Sequence, residues 1–181
     1  MQIATFGGGC FWCTEAIFQR LKGVKSAIPG YSGGDLPSPT YEEVSEGVTG
    51  HAEAVQIEFD PSLIPYRKLL EVFFYTHDPT TPNQQGNDMG PQYRSSVFYH
   101  SAEQKSLSEE FIQELTERRV FDRPIVTEVE PFKNFYEADD YHKNYYEKNK
   151  DAMYCNYVIG PKIHKLIEKY GNDIKDDYKE N

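Results

Sequence analysis

The order in which hydrophobic periods follow one another along residues 2–99 leaves this chain few ways to fold. Residues 2–6 (QIATF) read as a short strand, and Gly7, Gly8 and Gly9 then give a turn free of side chains. From Phe11 to Leu21 the pattern becomes helical, with Ile17, Phe18 and Leu21 on one face. Residues 24–31 read as a second strand, ending at GYSGG. Residues 53–59 alternate, with Val55, Ile57 and Phe59 on one face and Gln56 and Glu58 on the other. Pro65 opens an apolar helix from Tyr66 to Thr76, and residues 94–99 (RSSVFY) form a fourth strand.

Strand, helix, strand, strand, helix, strand is the split β-α-β order of ferredoxin-like folds. A further helix follows, with a capping box at Ser101 and Gln104 and apolar Leu107, Phe111 and Leu115. Residues 125–129 (IVTEV) give a fifth strand, and EADDYHKNYYEKN, 137–149, reads as a helix with one aromatic side. Pro161 and Gly171 frame a last helix carrying Ile163, Leu166, Ile167 and Tyr170. The expected class is α+β: a ferredoxin-like split β-α-β core, a mixed sheet with helices packed on it, plus a C-terminal aromatic-rich helical and loop extension. At 181 residues this suits a single domain over 1–170, with a charged, flexible tail over 171–181. The polar stretch HDPTTPNQQGNDMGPQY, 77–93, has no period, and loops of that length are usually functional or disordered.

Charge and cysteine usage narrow the function. A net charge of −10 leaves no basic stripe with which to neutralise phosphates, so nucleic acid is not an expected partner. No apolar run is long enough to cross a membrane, and MQIATF lacks the regions of a secretory signal, so the cytoplasm is the expected location. Three cysteines are too few, and odd in number, for a secreted disulfide framework. Thiols that matter in the cytosol are more often catalytic or metal-bound.

Two of those cysteines stand in GGGCFWCTEA, residues 7–16. Cys10 lies where a glycine turn meets a helix N-terminus, whose free N–H groups and dipole favour a thiolate and should lower its pKa. A nucleophilic Cys10 is the sharp reading; small buried hydrophobes are the bland one. Structural zinc would need four ligands, and Cys155, His142 and His164 stand too isolated to complete a set with Cys10 and Cys13. A thioredoxin-like CxxC dithiol is the closer rival, though Phe11 and Trp12 build an apolar wall where a general disulfide exchanger needs access. Glu53 shares the strand face of Val55, Ile57 and Phe59. Desolvation there would raise its pKa and keep it protonated near neutrality, able to act as a general acid, unless it lies at the strand's open entry.

GCFWCTE (9–15), GYSGG (30–34), PTYEEV (39–44), TGHAEAV (49–55), QGNDMGPQYRS (85–95) and FYEADDYH (135–142) run in order over about residues 3–170. Together they closely resemble methionine sulfoxide reductase A, the peptide-methionine (S)-S-oxide reductase family. The resemblance implies a repair enzyme that reduces methionine-S-sulfoxide, free or in proteins. It implies Cys10 as nucleophile, Phe11 and Trp12 as the rings that receive the S-methyl group, and Glu53 as the acid. Tyr41 and Tyr93 would hydrogen-bond the sulfoxide oxygen, and Asp88 would order the pocket. A Cys10 sulfenic acid would condense with a second thiol and be recycled by thioredoxin, with no bound cofactor or metal, in a monomer. Many members carry Gly where this chain has Cys13, so Cys155 and Cys13 compete as resolving thiols, with Cys155 favoured. A general CxxC dithiol-disulfide oxidoreductase and a zinc-stabilised interaction module stay open beside this reading.

Overall fold

The computed structural model describes residues 1–179. The expected order is realised as β1 (Gln2–Gly8), α1 (Phe11–Phe18), β2 (Val24–Ser32), a short α2 (Tyr41–Ser45), β3 (Ala52–Phe59) and α3 (Tyr66–Thr76). The 77–93 stretch folds as a hairpin of β4 (Gln84–Gln85) and β5 (Asp88–Met89), then a 3-10 turn, Pro91–Tyr93. After it come β6 (Ser95–Tyr99), α4 (Ala102–Glu117), β7 (Glu128–Pro131), β8 (Tyr136–Glu137), α5 (Tyr145–Lys148) and α6 (Gly160–Tyr170).

The six-stranded sheet runs β7-β6-β1-β3-β2-β8. Its central strands β6, β1, β3 and β2 are antiparallel, which is the ferredoxin-like arrangement, and β7 joins β6 in parallel to make the sheet mixed. Alternation on β3 sets the two sides. Val55, Ile57 and Phe59 are fully buried and join Phe6, Phe18, Leu69, Leu70 and Phe73 in the main core. Phe6 stacks on Phe73 at 4.8 Å, which fastens α3 to β1. Each such fully buried side chain contributes roughly 1.5–3 kcal/mol. Ala52 and Ala54, on the other side of β3, pack with Phe98 under Phe132 and Phe135.

Four expectations of local structure are corrected. Helix α1 ends at Phe18 rather than Leu21, because Leu21 pairs with Ile174 in a β-bridge. The Ser101 cap accepts from Gln104 N–H at 3.1 Å, but the Gln104 side chain reaches His100 N–H and Ile3 C=O instead of closing the box, so it docks α4 on β1. The fifth strand starts at Glu128, since Val126 N–H is taken by Pro79 C=O (2.8 Å). The 137–149 helix is broken by tertiary partners. Tyr136 and Glu137 pair with the edge of β2, and Asn144, at φ +54°, gives its N–H to the Glu15 carboxylate at 2.9 Å.

Residues 171–178, expected as part of a flexible tail, are packed. Ile174 is fully buried in the core, and Lys175 N–H bonds Arg20 C=O at 2.8 Å. One apolar side chain in a charged run is enough to seat it. Positions 180 and 181 of that tail lie outside the described residues. Arg20, only 2% exposed, ties this end together: it pairs with Glu147, donates to Ala16 C=O and lies under the Tyr178 ring at 4.6 Å.

Candidate active site

The chain leaves β1 through a turn that only glycine can make. Gly9 has φ +92°, and a Cβ there would lie 2.6 Å from Gln85 Cγ. Cys10 then caps α1, and the first helical N–H, that of Phe11, donates to Glu53 Oε1 at 3.1 Å. Glu53 reaches it from β3 and is 1% exposed, so it does not sit at an open strand entry. Burial pushes its carboxyl up to about 8, against the pull of the Phe11 N–H; the charges of Asp88 and Cys13 push the same way as burial. Glu53 is therefore a neutral carboxyl at neutral pH, beside the first turn of the helix that Cys10 caps.

Cys10 behaves opposite to the sequence expectation. Burial drives its thiol well above the usual range, and the thiol's interaction with Cys13 and the nearby Glu53 charge add to this. The helix N-terminus does act, through the Trp12 N–H, but it is outweighed. The expected lowering falls instead on Cys13. The Cys10 thiol donates toward it, and the Lys162 charge and Tyr154 hydroxyl assist against burial. Tyr154 Oη lies 3.8 Å from Cys13 Sγ and donates to Asp88 Oδ2 at 2.8 Å. Cys155 is fully buried in the same apolar cluster as Cys10 and Cys13, with its thiol raised by burial and then by Cys13. All three cysteines are free. A single turn of π-helix, Cys155–Ile159, carries the third into α6.

The tyrosines arrive from separate loops. Tyr41 opens α2, whose Thr40 and Glu43 form a full capping box that holds it. That box is written in the sequence as TYEE, 40–43. Burial, then the Glu53 and Cys10 charges, push Tyr41 up to about 12. Tyr93 ends the 3-10 turn and is raised by burial and by Glu53, Asp88, Tyr41 and Cys10. Cys10, Glu53, Tyr41, Tyr93 and Asp88 thus share one electrostatic neighbourhood.

Four further residues border the site that sequence reasoning missed. Tyr31 stands opposite Glu53 in the β2–β3 register, its ring 5.7 Å from Phe11. His142 packs on Phe11 (5.3 Å) and Tyr41 (4.4 Å), and its Nδ1 accepts from Trp12 Nε1 at 3.2 Å. Tyr145 lies flat on Trp12, 3.7 Å away and 7° from parallel, and Tyr154 meets the same ring edge-on at 5.9 Å. The sequence signals for the last three were the FYEADDYH motif, which contains His142, and the density of aromatic residues between 135 and 157, part of which reads as a helix with one aromatic side. Among the described residues, no group of three His, Cys, Asp or Glu side chains is arranged to hold a metal ion.

A family model for peptide methionine sulfoxide reductase matches residues 2–175. The chain belongs to that family. It is 60% identical over 170 residues to the peptide methionine sulfoxide reductase MsrA of Sulfolobus acidocaldarius, spanning 94% of this chain and 96% of the relative. The Thermus thermophilus MsrA is 52% identical over 169 residues, at 93% and 95% coverage. Among solved structures, reduced Mxr1 from Saccharomyces cerevisiae superposes with a TM-score of 0.77 at 36% identity, over 85% of this chain and 88% of that one. Methionine sulfoxide reductase A of Corynebacterium diphtheriae gives 0.74 at 32%, over 82% and 75%. Mxr1 has also been solved in complex with Trx2, and that chain matches at 0.54 and 27%, over 80% and 84%. Within this family member, the turn at Gly9, the neutral Glu53 and the three clustered thiols are the parts on which chemistry can be built.

Proposed function

We propose that Cys10 attacks the sulfur of methionine-S-sulfoxide while Glu53 gives its carboxyl proton to the sulfoxide oxygen. Family membership carries the reaction itself: the chain is an oxidoreductase that reduces methionine sulfoxide with thiols. The observation that supports the residue roles best is the buried, neutral Glu53, hydrogen-bonded at 3.1 Å to the amide next to Cys10. A sulfoxide sulfur is a weak electrophile until its oxygen takes a proton, so a nucleophilic sulfur and a protonated acid must coexist.

Burial keeps Cys10 as a thiol, so its proton must leave for the attack. The neighbouring Cys13, lowered to about 7, stands partly as thiolate near neutral pH and so has a lone pair free for that proton; the transfer is uphill and is drawn forward by attack on the sulfoxide sulfur. The new Cys10 thiolate then bonds to the substrate sulfur, Glu53 protonates the oxygen, and that oxygen passes to Cys10. Methionine is released and Cys10 is left as a sulfenic acid. Tyr41 and Tyr93, kept neutral by burial and negative neighbours, are the hydroxyl donors to the oxygen. The rings of Phe11 and Trp12 receive the methyl group, and Asp88 orders the pocket through Tyr154.

Cys13 is the thiol best suited to resolve the sulfenic acid. It interacts directly with Cys10, whereas Cys155 senses Cys13. The Cys13 sulfur bonds to Cys10, the sulfenic oxygen leaves as water with the Cys13 proton, and Cys155 can then exchange with Cys13. An external dithiol supplies the two electrons and two protons that restore the thiols. Thioredoxin fits that role, supported by the related Mxr1–Trx2 complex. The enzyme needs no bound cofactor on this reading, works as a monomer, and suits a reducing compartment such as the cytoplasm.

The test is a single turnover of reduced enzyme with one equivalent of methionine-S-sulfoxide, followed by disulfide mapping in time. Released methionine with a Cys10–Cys13 bridge appearing first is the expected result. A Cys10–Cys155 bridge with Cys13 still free would remove Cys13 from the pathway. Unoxidised Cys10 would overturn the whole reading.

A further inference from the structure

Behind the nucleophile turn, α3, α4, α6 and the 118–123 loop enclose an open groove of about 1030 Å³. Its floor is apolar, with Phe74, Tyr75, Phe111, Leu115 and Phe121 among the lining residues. Its rim is basic, on a chain whose net charge is −10. Part of that charge is internally matched: Arg67 pairs with Glu114, Lys68 with Glu71 and Asp173, and Arg123 with Asp78. Arg118, Lys162, Lys165 and Lys169 have no carboxylate within 4.0 Å among the described residues. One groove carboxylate, Asp122, likewise has no cation within 4.0 Å among the described residues.

Three of these cations form a stripe. Lys162, Lys165 and Lys169 follow i, i+3, i+7 on α6, the face a helix presents along one line. Lys165 and Lys169 hold their ammonium groups 4.3 Å and 4.0 Å from the Tyr75 ring centre, and Lys165 donates to Tyr75 C=O at 3.0 Å. At ~1.5 Å rise per residue the stripe is about 10 Å long, and an extended peptide covers that in about three residues at ~3.3 Å each.

The groove adjoins the site's glycine turn across one side chain. His77 and Gln85 line it, and the Gln85 side chain is the one that packs against Gly9, directly before Cys10. Gln85 is clamped by two hydrogen bonds to the Asp78 backbone, 3.0 Å and 2.8 Å, and pairs across its hairpin with Asp88.

We propose that this groove binds an acidic stretch of the protein substrate, so that methionine sulfoxide with a nearby pair of carboxylates, spaced about three residues apart, is the preferred substrate class. The inference rests on the reductase reading of Cys10 and Glu53. Charge complementarity names the occupant: a cationic stripe over an apolar floor takes a segment carrying both carboxylates and apolar side chains.

The test compares peptides containing one methionine-S-sulfoxide and an Asp-x-x-Asp pair stepped along either side of it, each against its Asn-x-x-Asn control. At least one acidic peptide should show a higher kcat/KM than its control, carried by KM, by roughly two- to fivefold for each ion pair formed. The advantage should shrink at high salt and vanish in the Lys165→Gln/Lys169→Gln double variant. That variant should reduce free methionine-S-sulfoxide as the wild type does, which also shows that it folds. Fluorescence anisotropy of the unoxidised acidic peptides reads the groove without any turnover, and weaker binding to the double variant is expected. No advantage at any spacing, an advantage that survives in the double variant, or equal losses for acidic and neutral peptides would overturn the proposal. So would salt-sensitive self-association abolished by the same substitutions, which would assign the groove to a second copy. Failure of the wild type to reduce even free methionine-S-sulfoxide would instead overturn the catalytic reading.

Discussion

Glu53→Gln separates the shape of Glu53 from its proton. The amide keeps an oxygen for the Phe11 N–H, which now bonds Glu53 Oε1 at 3.1 Å, but it cannot ionise or donate an acidic proton. In the fold the carboxyl titrates at about 8, against an ordinary 4.5. Between those values the folded protein holds a proton that the unfolded chain releases. The stability tied to that proton is full below pH 4.5 and is lost as pH rises through about 8. At ~1.4 kcal/mol per pH unit the loss amounts to ~3 kcal/mol by pH 7 and approaches a limit of ~5 kcal/mol above pH 8. Burying the extra NH₂ of Gln costs on the order of 1–3 kcal/mol, independent of pH. Glu15, itself pushed up to about 7 by burial, titrates in both proteins and cancels in the comparison. Denaturant unfolding of both proteins from pH 4.5 to 8 should therefore show Glu53→Gln gaining ~3 kcal/mol on the wild type by pH 7. Turnover of methionine sulfoxide should meanwhile fall by roughly 10²–10⁴. Stability curves that stay parallel across this range would mean that Glu53 titrates normally in the fold, and the acid role would go with it.

Two other substitutions test the surroundings. Gly9→Ala forces a side chain into φ +92° and against Gln85, and should cost about 1–3 kcal/mol together with activity; an unchanged melting curve would refute the argument for that turn. Tyr154→Phe removes the hydroxyl that sits 3.8 Å from Cys13 and bonds Asp88. Alkylation of Cys13, resolved by mass spectrometry, should then require higher pH than in the wild type, and an unmoved profile would exclude Tyr154 from tuning that thiol.

The core was legible because local pattern and tertiary role coincide there. Period-two alternation in AEAVQIEF states which side of β3 faces helices, and it carried Glu53 onto the apolar side with Val55, Ile57 and Phe59. Where the backbone had a competing partner, pattern failed. Nothing local in 137–149 announces that the edge of β2 will take Tyr136 and Glu137, or that Glu15 will take the Asn144 N–H. Nothing local in the charged run around Ile174 announces that it will bridge to Leu21.

The sequence alone sets the β-α-β-β-α-β order of the core, the glycine turn that precedes Cys10, and the family. Which thiol loses its proton more easily depends on packing. A helix N-terminus favours a thiolate, but at Cys10 burial, the hydrogen bond to Cys13 and the Glu53 charge overrule it, and the same Cys10 hydrogen bond lowers Cys13. Tertiary packing likewise decided that His142, Tyr145 and Tyr154 close over Trp12. The Cys10–Cys13 contact is local, but the burial around it and the groups that reach this turn, Lys162, His142, Tyr145 and Tyr154, come from distant parts of the chain, and those are not properties of a sequence window.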